Sequence, residues 1–188
     1  MDHINLLNTA ARRAEGLATE LLREYKQKNV TTGGVDLTAI CRQIIGEKEV
    51  VNQKKIVLEL QSELKNAVTV SLSEAYLARI YSNLLNNAID ASESGGRVMT
   101  NIIQGPTMVK ISIIDFGNGI DPETLSLIKL GRSVSKGKNE TYDGGTGIGL
   151  SSAFCYIQEA GGNIEVESNV GKGTTVSIAL PIILKDRT

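Results

Sequence analysis

Apolar and polar positions change period several times along the chain, and each change predicts an element. Near the start, Ile4, Leu7, Ala11, Ala14, Ala18, Leu21 and Tyr25 recur at alternating spacings of three and four, which makes one stripe on a helix. Leu6, Ala10, Leu17 and Leu22 widen the stripe, while Arg12, Arg13, Glu20 and Arg23 supply wet faces, so this heptad seam calls for a helical partner. A polar, glycine-bearing stretch follows. It divides the chain into a helical piece at 1–30, a linker at 31–35 and a larger domain at 36–184.

In the larger domain, Asp36 suits the cap of a helix reaching about Asn52, with Ile40, Ile44, Ile45, Val50 and Val51 on or near one face. Residues 56–60 and 67–71 read as short strands around a turn near Lys65 and Asn66. Ser73 then opens a helix through Tyr76, Ile80, Leu84 and Leu85 to about Ala91, stopped by Ser94-Gly95-Gly96. Residues 97–104 and 108–114 alternate on either side of Gly105-Pro106-Thr107, an antiparallel hairpin that leaves Asp115 at a strand end. From 120 to 145 little strand pattern appears, and a connection of that length points to a functional lid. A helix at 147–160 and strands at 163–168 and 174–180 close the pattern. The order predicts an α+β fold, a mixed and mostly antiparallel sheet with three helices on one face. Polar alternation at Thr69, Ser71, Thr100, Lys110 and Ser112 suits water on the other.

Composition narrows the class. A formal net charge of -1 and a pI near 5.9 give no electrostatic attraction to nucleic acid or an anionic membrane. Cys41 and Cys155 lie among apolar residues of helical segments without a Cys-x-x-Cys pairing, which predicts buried free thiols in a reducing compartment. No apolar run is long enough to span a bilayer and the start lacks a signal-peptide pattern, so a soluble, cytoplasmic chain is expected, whether or not a longer parent is anchored.

The chemistry lies in glycines that follow an acid. Asp115-Phe116-Gly117-Asn118-Gly119 stands 30 residues ahead of Gly145-Thr146-Gly147-Ile148-Gly149-Leu150. A carboxylate at a strand end, glycines that admit a ligand close to backbone, and a second glycine run opening a helix describe a pocket for a phosphorylated heterocycle. A P-loop would need Gly-Lys-Ser/Thr and a dinucleotide fold would place its glycines before its acid; neither order occurs here. On the central helix Asn83, Asn87 and Asp90 are four and three apart and share a face. Carboxamide oxygens there suit Mg²⁺ held jointly with phosphates, and the same spacing also fits three solvated residues on an amphipathic helix.

Asn83-x-x-x-Asn87-Ala88, Asp115-x-Gly117-x-Gly119, Gly145-x-Gly147-x-Gly149-Leu150 and Gly171-Lys172-Gly173-Thr174-Thr175 together resemble, in sequence and order, the four nucleotide-binding boxes of sensor histidine kinase catalytic domains. The resemblance spans about residues 36–181, and residues 6–25 resemble the second helix of that family's dimerisation and phosphotransfer hairpin. It implies the Bergerat fold of the GHKL ATPase superfamily, ATP and Mg²⁺ as cofactors, and γ-phosphoryl transfer to a histidine. Asp115 would accept from the adenine amino group with Thr174 near the same ring edge, while Gly117, Gly119 and Ile120 would carry the chain out of the base pocket. Asn87 would coordinate Mg²⁺, assisted by Asn83, with Asp90 nearby. Residues Gly145, Thr146, Gly147, Ile148, Gly149 and Leu150 would set amides and a helix N-terminus against phosphate, and Arg132, Lys136 and Lys138 in the lid would reach the γ-phosphate.

Related gyrase- and mismatch-repair-type ATPases carry a water-activating Glu where this chain has Asn83, and an amide cannot take a proton from water, so transfer is expected over hydrolysis. The sequence departs from the family at Asp90, where Lys or Arg is frequent, and in a lid with Leu127, Ile128 and Leu130 but no Phe. The single histidine, His3, sits at the start of the second-helix resemblance and reads as a bystander. The expectation is a catalytic fragment whose acceptor histidine lies elsewhere, with that phosphotransfer helix and a response regulator as partners and a homodimer through the first helix. The alternatives are a non-catalytic nucleotide-sensing module and an anti-sigma-type serine kinase.

Overall fold

The structure is a computed structural model that describes residues 34–51, 53–130 and 148–183, with side chains described from Ala153 onward in the last stretch. The helix expected at 4–25, His3 and most of the linker lie outside the described residues. In chain order the elements are α1 (Leu37–Val50), β1 (Val57–Ser62), α2 (Glu74–Ala91), β2 (Arg97–Gln104), β3 (Met108–Asp115), α3 (Pro122–Lys129), α4 (Ile148–Glu159), β4 (Asn163–Asn169) and β5 (Gly173–Pro181).

Local chemistry explains the helix starts. The Asp36 carboxylate accepts from the Ala39 amide at 2.9 Å, and the Ser73 hydroxyl accepts from Tyr76 at 3.4 Å. Each satisfies an amide that the helix itself leaves without a partner. On α1 the buried face is Leu37, Ile40, Cys41, Ile44 and Ile45, whereas Val50 and Val51 are 87% and 68% exposed. The sequence reading carried the apolar stripe one turn too far, since the helix ends at Val50 and leaves both valines in water.

The five strands form one sheet in the order β1-β2-β3-β5-β4. β2 and β3 pair as the expected hairpin, and β5 lies antiparallel between β3 and β4. β1 departs from expectation. It pairs parallel with β2, Val57 opposite Arg97 through Ser62 opposite Ile102, with α2 as the crossover. Its anticipated hairpin partner at 67–71 is not a strand but an extended segment with a single bridge between Val35 and Val68. Val68, Val70 and Leu72 are all buried, so the alternation marked which residues face the core without a ladder being made.

Register fixes the two faces. Val98, Thr100, Ile102, Val109, Ile111, Ile113, Ile164, Val166, Ile178 and Leu180 are buried on the side packed by α1, α2 and α4. α2 lies in the middle with α1 and α4 on either side, and the Tyr76 and Tyr156 rings of α2 and α4 meet at 4.9 Å. Thr100 belongs to this inner face and not to the solvated one, because the Tyr81 hydroxyl bonds its Oγ1 at 2.8 Å and so permits its burial. On the other face the Ser112 and Ser177 hydroxyls bond each other at 2.9 Å, and Asn101 Oδ1 is buried without a partner among the described residues.

Two further differences concern the edges of the layer. The stretch after Ile120 begins with a helix, α3, capped by Asp121 onto Thr124 and opened by Pro122. Cys155 is exposed, because α4 packs through Ala153, Tyr156 and Ile157 and position 155 lies off that face. Cys41 is buried as expected.

Candidate functional site

Strand parity decides where the acid points. Asp115 aligns with Val98 on one side and Thr174 on the other, both on the inner face, so its carboxylate turns toward the helices at the end of the sheet. It is only 5% exposed. Oδ1 accepts from the amide of Gly117 at 3.0 Å and of Thr174 at 3.2 Å, while no described residue bonds Oδ2. Burial pushes the carboxyl pKa above its ordinary value, opposed by the two amide bonds, so burial is the larger effect.

The C-terminus of α2 comes to the same place. Asn118 donates its amide to Ala91 O at 3.2 Å, and a Cβ at Gly117 would stand 2.0 Å from that oxygen. Gly117 is therefore a contact between two backbones that no side chain allows. Gly119 is at φ 67 with its missing Cβ 2.0 Å from Asn169 O, and Gly173 at φ 89 has the same relation to Asp115 O. These glycines seat the loop after β3 between the end of α2 and the β4–β5 turn.

Sequence reasoning missed the residue that joins these parts. Ser168 Oγ accepts from the Ile120 amide at 2.8 Å, donates to Gly173 O at 2.9 Å and bonds Thr174 Oγ1 at 2.9 Å. With its one proton on Gly173, Ser168 receives the Thr174 proton, which leaves Thr174 Oγ1 with acceptor capacity only. Ile120 is half-buried beside it. A serine two residues before a tight turn gave no signal of this role.

Asn83, Asn87 and Asp90 lie on α2 as expected, Asn83 half-buried and the other two exposed. None of the three side chains is bonded by a described residue, so their oxygens are open to a ligand. Asn87 and Asp90 lie within the last turn and a half of α2, the end that abuts Gly117 and Asn118. Ile148, Gly149 and Leu150 form the first turn of α4. Gly145, Thr146 and Gly147 lie outside the described residues, as do Arg132, Lys136 and Lys138. A buried acceptor, an open polar face and a helix start are parts suited to the base, metal and phosphates of a nucleotide.

Comparison with known proteins gives the family and the fold. Residues 72–183 match the family described as histidine kinase-, DNA gyrase B-, and HSP90-like ATPase. Sporulation kinase C of Bacillus subtilis is 25% identical over 96% of this chain and 41% of its own length. Histidine protein kinase DivJ of Caulobacter vibrioides is 32% identical over 76% of this chain and 26% of its own. The chain thus spans less than half the length of these relatives. In fold it resembles ShkA, solved as a full-length protein in complex with AMPPNP, at a TM-score of 0.67 and 19% identity, over 84% of this chain and 32% of that one. The chain belongs to the histidine kinase-, DNA gyrase B-, and HSP90-like ATPase family, and its domain is the ATP-binding type found in sensor histidine kinases.

Proposed function

We propose that this chain holds ATP with Mg²⁺ and presents the γ-phosphate to a histidine on a separate phosphotransfer helix. The observation that carries the reading is the Asp115 carboxylate, buried and held by two amides through Oδ1 while Oδ2 is left open. An acceptor-only group suits the adenine amino donor and repels the carbonyl that guanine offers at the same edge. Thr174, opposite Asp115 in the register of β3 and β5, would supply a second acceptor through Oγ1. The open amide oxygens of Asn87 and Asn83 suit a Mg²⁺ that arrives with the phosphates, where the ion would offset their negative charge. Asp90 adds a carboxylate to that face, and the start of α4 offers unpaired amides to the phosphates, with Gly145, Thr146 and Gly147 leading into it. Arg132, Lys136 and Lys138 are proposed to reach the γ-phosphate.

Asn83 also sets the choice of reaction. It stands where a hydrolase needs an acid to deprotonate water, and an amide has no such capacity, so ATP should be held with slow turnover. The proposed division is a dimerising hairpin helix at 1–30, a linker at 31–35 and the catalytic domain at 36–184, with a homodimer through the helix and a response regulator as the downstream partner. Among the described residues no helix is long and apolar enough to cross a membrane. Supplying a histidine-bearing hairpin helix in trans with labelled ATP tests the reading. Acid-labile label on that helix is the expected result. Acid-stable label on serine would assign a serine kinase, binding without transfer a nucleotide sensor, and brisk steady-state hydrolysis an ATPase.

A further inference from the structure

We infer that Lys54, in the turn between α1 and β1, is a positioning residue for the metal-phosphate half of the site; the inference rests on the nucleotide reading above. Its Nζ donates to Asp90 O at 2.8 Å, Ser92 O at 3.1 Å and Ile89 O at 3.3 Å. An ammonium has three protons, and here all are directed at main-chain oxygens of one helix end. α2 carries no basic residue in its own last turn, so Lys54 supplies from outside the positive charge that a helix C-terminus favours.

An account of the remaining carbonyls shows how closed this end is. Ala88 O accepts from Ser92 Oγ at 2.8 Å, Ile89 O also accepts from the Ser92 amide, and Ala91 O accepts from the Asn118 amide. Five successive carbonyls, from Ala88 to Ser92, therefore have donors from three segments of chain. Lys54 is itself held in return, because Gly95 donates its amide to Lys54 O at 2.8 Å, and the next residue, Lys55, takes φ 52 to turn the chain into β1. The turn and the helix end clamp each other through both main chain and side chain.

Asp90 belongs to this clamped turn and Asn87 immediately precedes it, and the loop bearing Gly117 and Asn118 rests on Ala91 O within it. Without the ammonium, the Asp90 and Ser92 carbonyls lose their only donors among the described residues and the last turn frays. The metal-bearing face of α2 and the seat of the loop after β3 then lose their fixed relation. Partners that orient a metal ligand from behind are typically worth roughly 10- to 100-fold in metal affinity or activity.

The experiment compares Lys54→Met, which keeps the stem and removes every donor, with Lys54→Arg and with Lys55→Met at the exposed neighbour. Calorimetry measures ATP affinity with Mg²⁺ and with chelator, and hydrogen exchange follows the amides of residues 88–95. Lys54→Met should lower the Mg²⁺-dependent gain in ATP affinity roughly 10-fold or more, with a smaller change in chelator, and speed exchange at 88–95. Lys54→Arg should recover part of both, and Lys55→Met should match the wild type. If the wild type binds no nucleotide, the nucleotide reading falls. If the wild type binds and Lys54→Met keeps the full Mg²⁺-dependent gain, this inference is overturned, whatever happens to its melting temperature. Should Lys54→Met fail to fold, Lys54→Gln is read by the same two outcomes.

Discussion

Replacing Asp115 with Asn separates the fold from the site at one atom. The amide keeps an oxygen where Oδ1 accepts from Gly117 and Thr174, so both internal bonds survive. Where no described residue bonds Oδ2, an NH₂ would face the proposed adenine amino group, donor against donor. A hydrogen bond to a charged partner is worth about 1.5–3 kcal/mol, so ATP affinity should fall roughly 10- to 150-fold, and guanine nucleotide should weaken less or gain. Stability should move the other way. The folded pKa of Asp115 is raised by burial, so its contribution is fully present below the unfolded carboxylate value and is lost as pH rises through the folded one. At neutral pH the carboxylate therefore costs stability, and Asp115→Asn should unfold at equal or higher urea, with the advantage shrinking as pH falls through the carboxylate range. Calorimetry with ATP and GTP, beside urea titrations across that range, reads both quantities. Undiminished ATP affinity would refute the base-pocket assignment, and a neutral-pH loss of stability would refute the electrostatic one.

Glycines separate by what their missing Cβ would meet. Gly117→Ala should cost about 1–3 kcal/mol, because Ala91 O stands 2.0 Å away, while Gly46→Ala should gain about 0.5–1 kcal/mol, since nothing lies within 4 Å of that helical position; urea midpoints rank the two. Tyr81→Phe leaves Thr100 Oγ1 buried without its partner and should cost about 1–3 kcal/mol, most of it recovered when Thr100→Val is added; chemical denaturation of the double-mutant cycle checks this. In the native protein a thiol reagent should modify Cys155 alone, because Cys41 is buried and burial pushes its pKa to about 12; denaturant should release the second equivalent.

What could be read from the sequence was what short-range chemistry decides. Gly105-Pro106-Thr107 between two alternating runs can do little but turn a hairpin, and Asp36 and Ser73 announce helices through bonds made three residues on. The pairing of β1 was hidden, because a parallel partner lies beyond a whole helix and leaves no local trace. Thr100 suggests a solvated position because its polarity is visible in the sequence and its partner, Tyr81, is not. The α3 start is signalled by Asp121-Pro122-Glu123, a cap, a first-turn proline and a first-turn acid, but the length of the connection around it masks the signal. At the site, Asp115 and the glycines were found as residue types. Their supports act through backbone oxygens, Ser92 and Ser168 on carbonyls four and five residues away and Lys54 on one 36 residues away, and nothing in the residue types marks them.

The bond from Thr174 to Asp115 spans 59 positions and sets an order of events during synthesis. The β2–β3 hairpin needs only its own turn and can form while the rest of the chain is still being made, whereas β5 must arrive before β3 has a partner on its other edge. A nascent chain ending short of residue 174 therefore has the acid and the Gly117 amide but lacks the second amide that fixes it. On the proposed reading, nucleotide finds no finished base pocket until β5 docks, so ATP would act as a seal on completed folding and not as a template for it.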